Sequence, residues 1–280
     1  MRKGPTRKDK ANISGRPFSK TPDVRGTRTA SPGDGEHLIY GTLPVSEAIR
    51  NRPRSVKLVL VAEGGGEKRL ENTIGLAREK GVPIEVVPKE KLARLLESDV
   101  NHQGIAAVTE PVEFVDLDDL IDGIDGKALL VILDGIEDPR NLGAVIRTAE
   151  CAGADGLIIP ERRAAGLTGT VSKSAAGATE FIKISQVANI NRTIEKLKES
   201  SIWVVGTAGE SEMSYQDWDW TQPSAVIFGA EGSGMHRLVR ENCDVLVKIP
   251  MYGKIESLNV SVAAGVILFE ARRQRGRGEE

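Results

Sequence analysis

Apolar residues along the chain follow two patterns, short continuous runs and longer runs that repeat with the period of a helix. A run at 56–62 that is apolar except for Lys57 and a continuous run at 128–134 predict buried strands, whereas periodic runs at 67–80 and 142–152 predict amphipathic helices. Further strands are predicted at 84–87, 105–109, 157–159, 181–184, 202–206, 225–229 and 245–249, and further helices at 43–49, 89–96, 168–176, 191–200 and 259–273. Strands that alternate with helices predict an α/β fold with a mostly parallel sheet.

Changes in this pattern divide the chain into four parts. Residues 1–35 show no periodicity, which predicts a disordered extension. Residues 36–110 form a small α/β domain, and the acidic stretch 111–126 reads as a linker. Residues 127–280 form the second α/β domain, which is large enough to hold a core and an active site.

The distribution of charge along the chain indicates a class of binding partner. The net charge of the chain is −2, but residues 1–35 hold nine lysines and arginines against three aspartates. A basic arm on an acidic body is typical of proteins that bind a polyanion such as RNA. No apolar run approaches the roughly 18 residues of a membrane span, and Cys151 and Cys243 have neither metal-type nor disulfide-type spacing. We therefore expect a cytoplasmic protein without a structural metal.

The first segment with candidate functional residues is 133–148, a predicted strand followed by a polar turn and a helix. Asn141 stands where a helix N-cap is expected, and Arg147 lies about 140° away from the apolar face of the helix. Arg147 is therefore free to reach into a cleft. Taken alone, the segment is better explained by a capping Asn141 and a surface Arg147 paired with an acid than by a functional site.

Two more segments combine a strand end with a polar loop. In 226–235, glycines that include Gly229 surround Glu231, which fits a ligand loop better than a plain turn. The spacing differs from G-x-G-x-x-G, so it gives no support to a nicotinamide site. In 249–265, Ser257 and Asn259 precede the last helix, where either could be a simple cap or could bind a ligand.

Together, the three segments resemble the motifs of the SpoU family of RNA 2′-O-ribose methyltransferases, in the SPOUT superfamily, over residues 129–271. Residues 37–108, with I-Y-G-x-x-P-V-x-E-A and H-Q-G-I, resemble the small RNA-binding domain of one branch of that family. That branch methylates a guanosine ribose in the peptidyl-transferase region of large-subunit (23S) rRNA. The resemblance implies a SPOUT α/β-knot methyltransferase domain, with a trefoil knot near the C-terminus, and a homodimer.

The resemblance also assigns residues. It implies S-adenosyl-L-methionine as the cofactor, held by backbone groups of Gly229, Ile249 and Leu258. The catalytic positions that it implies are Asn141, Arg147, Glu231, Ser257 and Asn259. Because a guanidinium keeps its proton, we expect Arg147 to grip a phosphate and stabilise the alkoxide, with Glu231 orienting Arg147 or Asn141.

Alternatives remain open at this stage. Another SpoU specificity, for a tRNA or a different rRNA nucleotide, would leave the same motifs. An RNA-binding protein with an inactive methyltransferase domain is disfavoured because the catalytic residue types are all present. Outside the motifs, Trp218 and Trp220 are expected to pack in a loop, Cys151 to lie in the core, and His102 to have a structural role.

Overall fold

The computed structural model describes residues 36–64, 67–96, 100–162 and 165–276, so the predicted extension 1–35 lies outside the described residues. The small domain is a mixed sheet in the order β1-β4-β2-β3, in which β4 runs antiparallel to both neighbours. Its elements are β1 (His37–Tyr40), α1 (Thr42–Asn51), β2 (Val56–Ala62), α2 (Glu67–Glu79), β3 (Ile84–Val87), α3 (Lys89–Leu95) and β4 (Ile105–Thr109).

The second domain is built on a sheet in the order β10-β8-β9-β5-β6-β7, with every pairing parallel. Its elements are α4 (Leu117–Asp122), β5 (Leu129–Asp134), α5 (Pro139–Cys151), β6 (Gly156–Pro160), α6 (Gly169–Ser174), β7 (Lys183–Val187), α7 (Ile190–Glu199), β8 (Trp203–Thr207), β9 (Ser224–Gly229), α8 (Arg237–Glu241), β10 (Val245–Val247) and α9 (Val260–Gly276). The predicted α/β class with a parallel sheet is confirmed.

Strand β5 shows why its apolar run is continuous. Leu129, Val131 and Leu133 pack into a core shared with α5, α6 and α9. Leu130 and Ile132 point to the other face and pack with α4, α7 and α8. Because side chains alternate along a strand, a strand covered on both faces needs apolar residues at every position. This two-sided burial fixes β5 at the centre of the sheet.

Several local expectations are corrected. The predicted linker contains α4, capped by the side chain of Asp116, and α8 was not predicted at all. The N-cap of α5 is Asp138, whose carboxylate accepts from the backbone N–H of Arg140, and Asn141 is the third residue of the helix. Cys151 is exposed rather than part of the core.

The two domains meet along α6 and the short 3-10 helix that follows it. Arg52, just after α1, makes a forked ion pair with Glu180, at 2.5 and 3.1 Å. Arg52 also donates to the backbone carbonyls of Glu110 and Pro111, where the small domain ends. The hydroxyls of Tyr40 and Thr170 form a further hydrogen bond of 3.1 Å across this junction. The junction is therefore polar and specific.

Candidate active site

The three motif segments converge where parallel strands end. Asp134 is the last residue of β5, Gly229 is the last residue of β9, and Ile249 follows β10. Ligands of open parallel sheets bind outside these carboxyl ends. Here the loops enclose a cleft of about 460 Å³. The cleft is lined by Gly135, Ile136, Glu137, Asp138, Asn141, Ala230, Glu231, Ser233 and His236.

Asn259 joins the three motif segments through its side-chain amide. Its Nδ2 donates to Asn141 Oδ1 at 2.9 Å and to Glu231 Oε1 at 2.5 Å. Its Oδ1 accepts from the backbone N–H of Ser261 at 2.9 Å, so the same side chain also caps α9. Capping and site building, which the sequence presents as alternatives, are therefore combined in one residue.

Asn141 is held rigidly because α5 buries it. It lies in the first turn of the helix beside Leu142 and Gly143, all of them buried. Gly143 allows α6 to approach closely, since a Cβ there would press against Val171 and Ser174. Close packing of α5 on α6 thus fixes the position from which Asn141 faces the cleft.

Arg147 and Ser257 lie outside this cluster. Both are exposed, and Arg147 makes no hydrogen bond or ion pair with any residue that the structure describes. Glu231 accepts from Asn259 instead of orienting Arg147 directly. Of the predicted catalytic residues, Asn141, Glu231 and Asn259 are in contact, whereas Arg147 and Ser257 face solvent.

The positions predicted to hold the cofactor present backbone groups. A Cβ on Gly229 would collide with the backbone of Gly234 and Met235, so only glycine allows this turn after β9. The backbone N–H groups of Ile249 and Leu258 find no acceptor among the described residues. Free backbone donors on neighbouring loops fit a cofactor recognised by main-chain hydrogen bonds.

Sequence reasoning missed His236, which lines the cleft, and the buried carboxylate of Asp134 behind it. Asp134 is buried at the end of β5 and binds His236, which follows the glycine-rich loop. The available signal was an acid at the end of an otherwise apolar strand. Within the described ranges, no group of three His, Cys, Asp or Glu side chains is arranged to hold a metal ion.

The fold and the cleft define an α/β enzyme domain that binds ligands at the carboxyl edge of a parallel sheet, with a small domain attached in front. Residues 128–269 match the model of the SpoU rRNA Methylase family, and residues 38–115 match that of the RNA 2′-O ribose methyltransferase substrate-binding domain. The chain belongs to the SpoU rRNA methylase family. The resemblance inferred from the three motif segments is confirmed.

Individual relatives agree with this assignment. The chain is 46% identical over 240 residues to a 23S rRNA (guanosine-2′-O-)-methyltransferase RlmB of Pseudomonas syringae, covering 85% of this chain and 95% of the relative. It is 42% identical, with the same coverage, to a putative TrmH family tRNA/rRNA methyltransferase of Bacillus subtilis. The crystal structure of the SpoU methyltransferase AviRb from Streptomyces viridochromogenes in complex with AdoMet matches with a TM-score of 0.73 at 28% identity, covering 88% of this chain and 92% of that one.

Proposed function

We propose that this protein methylates the ribose 2′-oxygen of a guanosine in 23S rRNA, with S-adenosyl-L-methionine as the methyl donor. The observation that carries the proposal is the contact of Asn259 with both Asn141 and Glu231, which joins the three motif segments at one cleft. The relative from Pseudomonas syringae, named for this activity, supports the choice of substrate.

In this proposal, different residues bind the cofactor, position the ribose and hold the phosphate. Backbone groups of Gly229, Ile249 and Leu258 would hold the cofactor, which supplies a methyl carbon already activated by its sulfonium. Asn141, Glu231 and Asn259 form the polar wall against which the ribose is positioned. Holding two reactants in line accounts for much of the acceleration of such a transfer. Arg147 would grip a phosphate next to the reacting ribose, and Ser257 would contact the RNA or the cofactor from its exposed loop.

Mapping of 2′-O-methylation by mass spectrometry tests the proposal. Ribosomal RNA from cells that lack the protein should miss one methylated guanosine in 23S rRNA, and addition of the protein with S-adenosyl-L-methionine should restore it. Separated tRNA serves as the comparison, because the Bacillus subtilis relative is named for both RNA classes. Methylation of tRNA alone would reject the rRNA assignment. Cofactor binding without methylation of either RNA would indicate the inactive RNA-binding protein.

We also propose that the protein is a homodimer with α9 and the preceding loop in the interface. Val262 and Phe269, one heptad apart on α9, are 50% and 51% exposed, and Leu258 just before the helix is also exposed. An apolar stripe of this kind is typical of a contact surface. Light scattering should give twice the 30.2 kDa mass of the chain, and Phe269→Glu should reduce it to the monomer. A monomeric mass for the unmodified protein would reject this proposal.

Two further points rest on the same family membership. We propose the C-terminal knot, supported by the return of the chain from the edge strand β10 to α9, which packs against the core beside α5. We propose a cytoplasmic location, supported by a ribosomal substrate. The described helices include none with the length and apolarity needed to cross a membrane.

A further inference from the structure

A histidine and a buried carboxylate form a pair on the wall of the cleft. His236 Nδ1 lies 2.8 Å from Asp134 Oδ1, and the backbone N–H of His236 donates to Asp134 Oδ2 at 2.7 Å. The Asp134 side chain is 4% exposed, whereas the imidazole is 52% exposed. An ionised carboxylate only accepts hydrogen bonds, so the proton of a neutral imidazole resides on Nδ1. Nε2 is then left as an acceptor.

Among the described residues that line the cleft, His236 carries the one nitrogen base, and the charged groups near it are known. The groups around it are the cleft carboxylates Glu137, Asp138 and Glu231, the α8 residues Arg237 and Arg240, which are paired with Glu241 and Glu210, and the thiol of Cys243 near Asp134. Burial raises the pKa of Cys243 to about 12, so that thiol stays protonated. Among the described residues that line the cleft, the remaining titratable side chains are carboxylates, which are weak bases.

The proposed reaction needs a proton acceptor. A ribose hydroxyl loses its proton as its oxygen attacks the methyl carbon, and Arg147 is a poor acceptor because a guanidinium is already protonated. Imidazole combines a suitable basicity with fast proton transfer, and general-base catalysis is most efficient when the base titrates near the working pH.

We propose that His236, oriented by Asp134, is the general base that takes the proton from the ribose 2′-hydroxyl. The proton moves to Nε2, and the oxygen lone pair forms the new bond to the methyl carbon. The carbon–sulfur bond breaks with its electron pair remaining on sulfur. Asp134 stabilises the imidazolium that results and keeps the ring in the tautomer that exposes Nε2. This inference rests on the proposed methyltransferase function and assigns a residue to one step of it.

The pH dependence of single-turnover methyl transfer tests the role of His236. With cofactor and rRNA fragment saturating, the rate of the unmodified protein should fall as pH is lowered from about 8 to about 5.5, because a general base must be unprotonated to accept the proton. His236→Gln should lower the rate about 100-fold near pH 8 and remove this acid limb. Glu195→Gln, which changes an exposed side chain of α7 that does not line the cleft, is the matched control and should keep both rate and profile.

A second measurement does not depend on turnover. In the free protein labelled with ¹⁵N-histidine, the nitrogen spectrum should show His236 with a protonated Nδ1 and a bare Nε2. Asp134→Asn places an amide beside the ring and should reverse the tautomer while cofactor affinity, measured by calorimetry, stays within about threefold. If Asp134→Asn fails to fold, His236→Gln still provides the test.

The outcomes separate this inference from the proposed function. Loss of the acid limb in His236→Gln, with cofactor binding retained, supports the general base. A variant rate within threefold of the unmodified protein rejects it, and so does a slower variant that keeps the same limb, since the base would then lie elsewhere. If the unmodified protein binds S-adenosyl-L-methionine but methylates no rRNA, the proposed function itself is wrong.

Discussion

Replacing Arg52 with alanine is expected to destabilise the junction between the two domains. The side chain of Glu180 is only 3% exposed, and its carboxylate is held by two hydrogen bonds from the Arg52 guanidinium. Arg52→Ala removes both bonds and leaves a buried negative charge without its partner. The carbonyls of Glu110 and Pro111 also lose a donor. The loss therefore falls on the place where the small domain continues into the linker.

The expected magnitude follows from burial. Removing one partner of a buried ion pair costs roughly 3–5 kcal/mol. Arg52 is 22% exposed, so water can partly reach Glu180 in the variant and the low end, about 3 kcal/mol, applies. For a protein of this size the melting temperature should fall by roughly 6–12 °C. Arg52→Lys keeps the charge but loses the planar fork, so its melting temperature should lie between those of the unmodified protein and Arg52→Ala.

Thermal unfolding followed by circular dichroism measures this effect in the full chain. Lys57→Ala is the matched control, because Lys57 pairs with Glu110 at the same end of the small domain but both side chains are largely exposed. Its melting temperature should barely change. The double variant Arg52→Met, Glu180→Leu should regain most of the loss, since it removes the buried charge together with its partner. If Arg52→Ala is no more destabilising than Lys57→Ala, the junction is not held by this pair.

Three other changes test separate parts of the molecule. Arg147→Ala should change the free energy of unfolding by no more than about 0.5 kcal/mol yet reduce methyl transfer by orders of magnitude, with cofactor binding intact. Unchanged turnover would reject a catalytic role for Arg147, and partial rescue by Arg147→Lys would favour simple electrostatics. Because burial raises the pKa of Cys243 to about 12, iodoacetamide at pH 8 should modify the exposed Cys151 first and Cys243 only on unfolding. Equal rates of modification of the two thiols, measured by peptide mass spectrometry, would contradict this. Deleting residues 1–35 should weaken RNA binding and flatten its salt dependence; an unchanged salt slope would count against the basic arm.

Much of the fold could be predicted because burial leaves a local trace. The runs at 56–62 and 128–134 correspond to β2 and β5 within one residue, because burial makes these strands apolar except at the exposed Lys57 of β2 and at Asp134, the last residue of β5. Short elements leave a weaker trace. Helix α8 has five residues and buries one of them, Val239, so its sequence carries no visible period. Helix α4 was not predicted because it is also short, with six residues in an acidic stretch, and buries only Leu120.

Errors arose where two residues compete for one structural role. Asp138 and Asn141 are both good N-caps, and Pro139 decides between them because proline is favoured at the first position of a helix. Cys151 lies about 200° around α5 from the buried Ala149, so the alanines beside it gave a false impression of a core. By contrast, Trp220 is fully buried and donates to the carbonyl of Tyr215, as loop packing requires.

The members of the site were easier to predict than their contacts. Asn141 and Asn259 are 118 positions apart, and they meet only because α9 returns to the core that α5 occupies beside β5. No local pattern encodes that return. The pair of Asp134 and His236 was missed for the same reason, since it spans 102 positions and an acid at the end of an apolar strand does not indicate its partner. A motif therefore indicates which segments matter, whereas the sheet order determines which side chains touch.

The positions of Arg147 and His236 in the fold suit them to different steps of the proposed reaction. Arg147 lies six residues after Asn141, which along a helix means about 9 Å of rise and about 240° of rotation. In the proposed function, a residue so placed would hold a phosphate outside the cleft and would not reach the hydroxyl inside it. The proton would then be taken by a group on the cleft wall, where the amide of Asn259 donates to Asn141 and Glu231. His236 lines that wall, and its Nε2 has no hydrogen-bond partner among the described residues, so in the proposed mechanism charge stabilisation and proton removal fall to different elements of the fold.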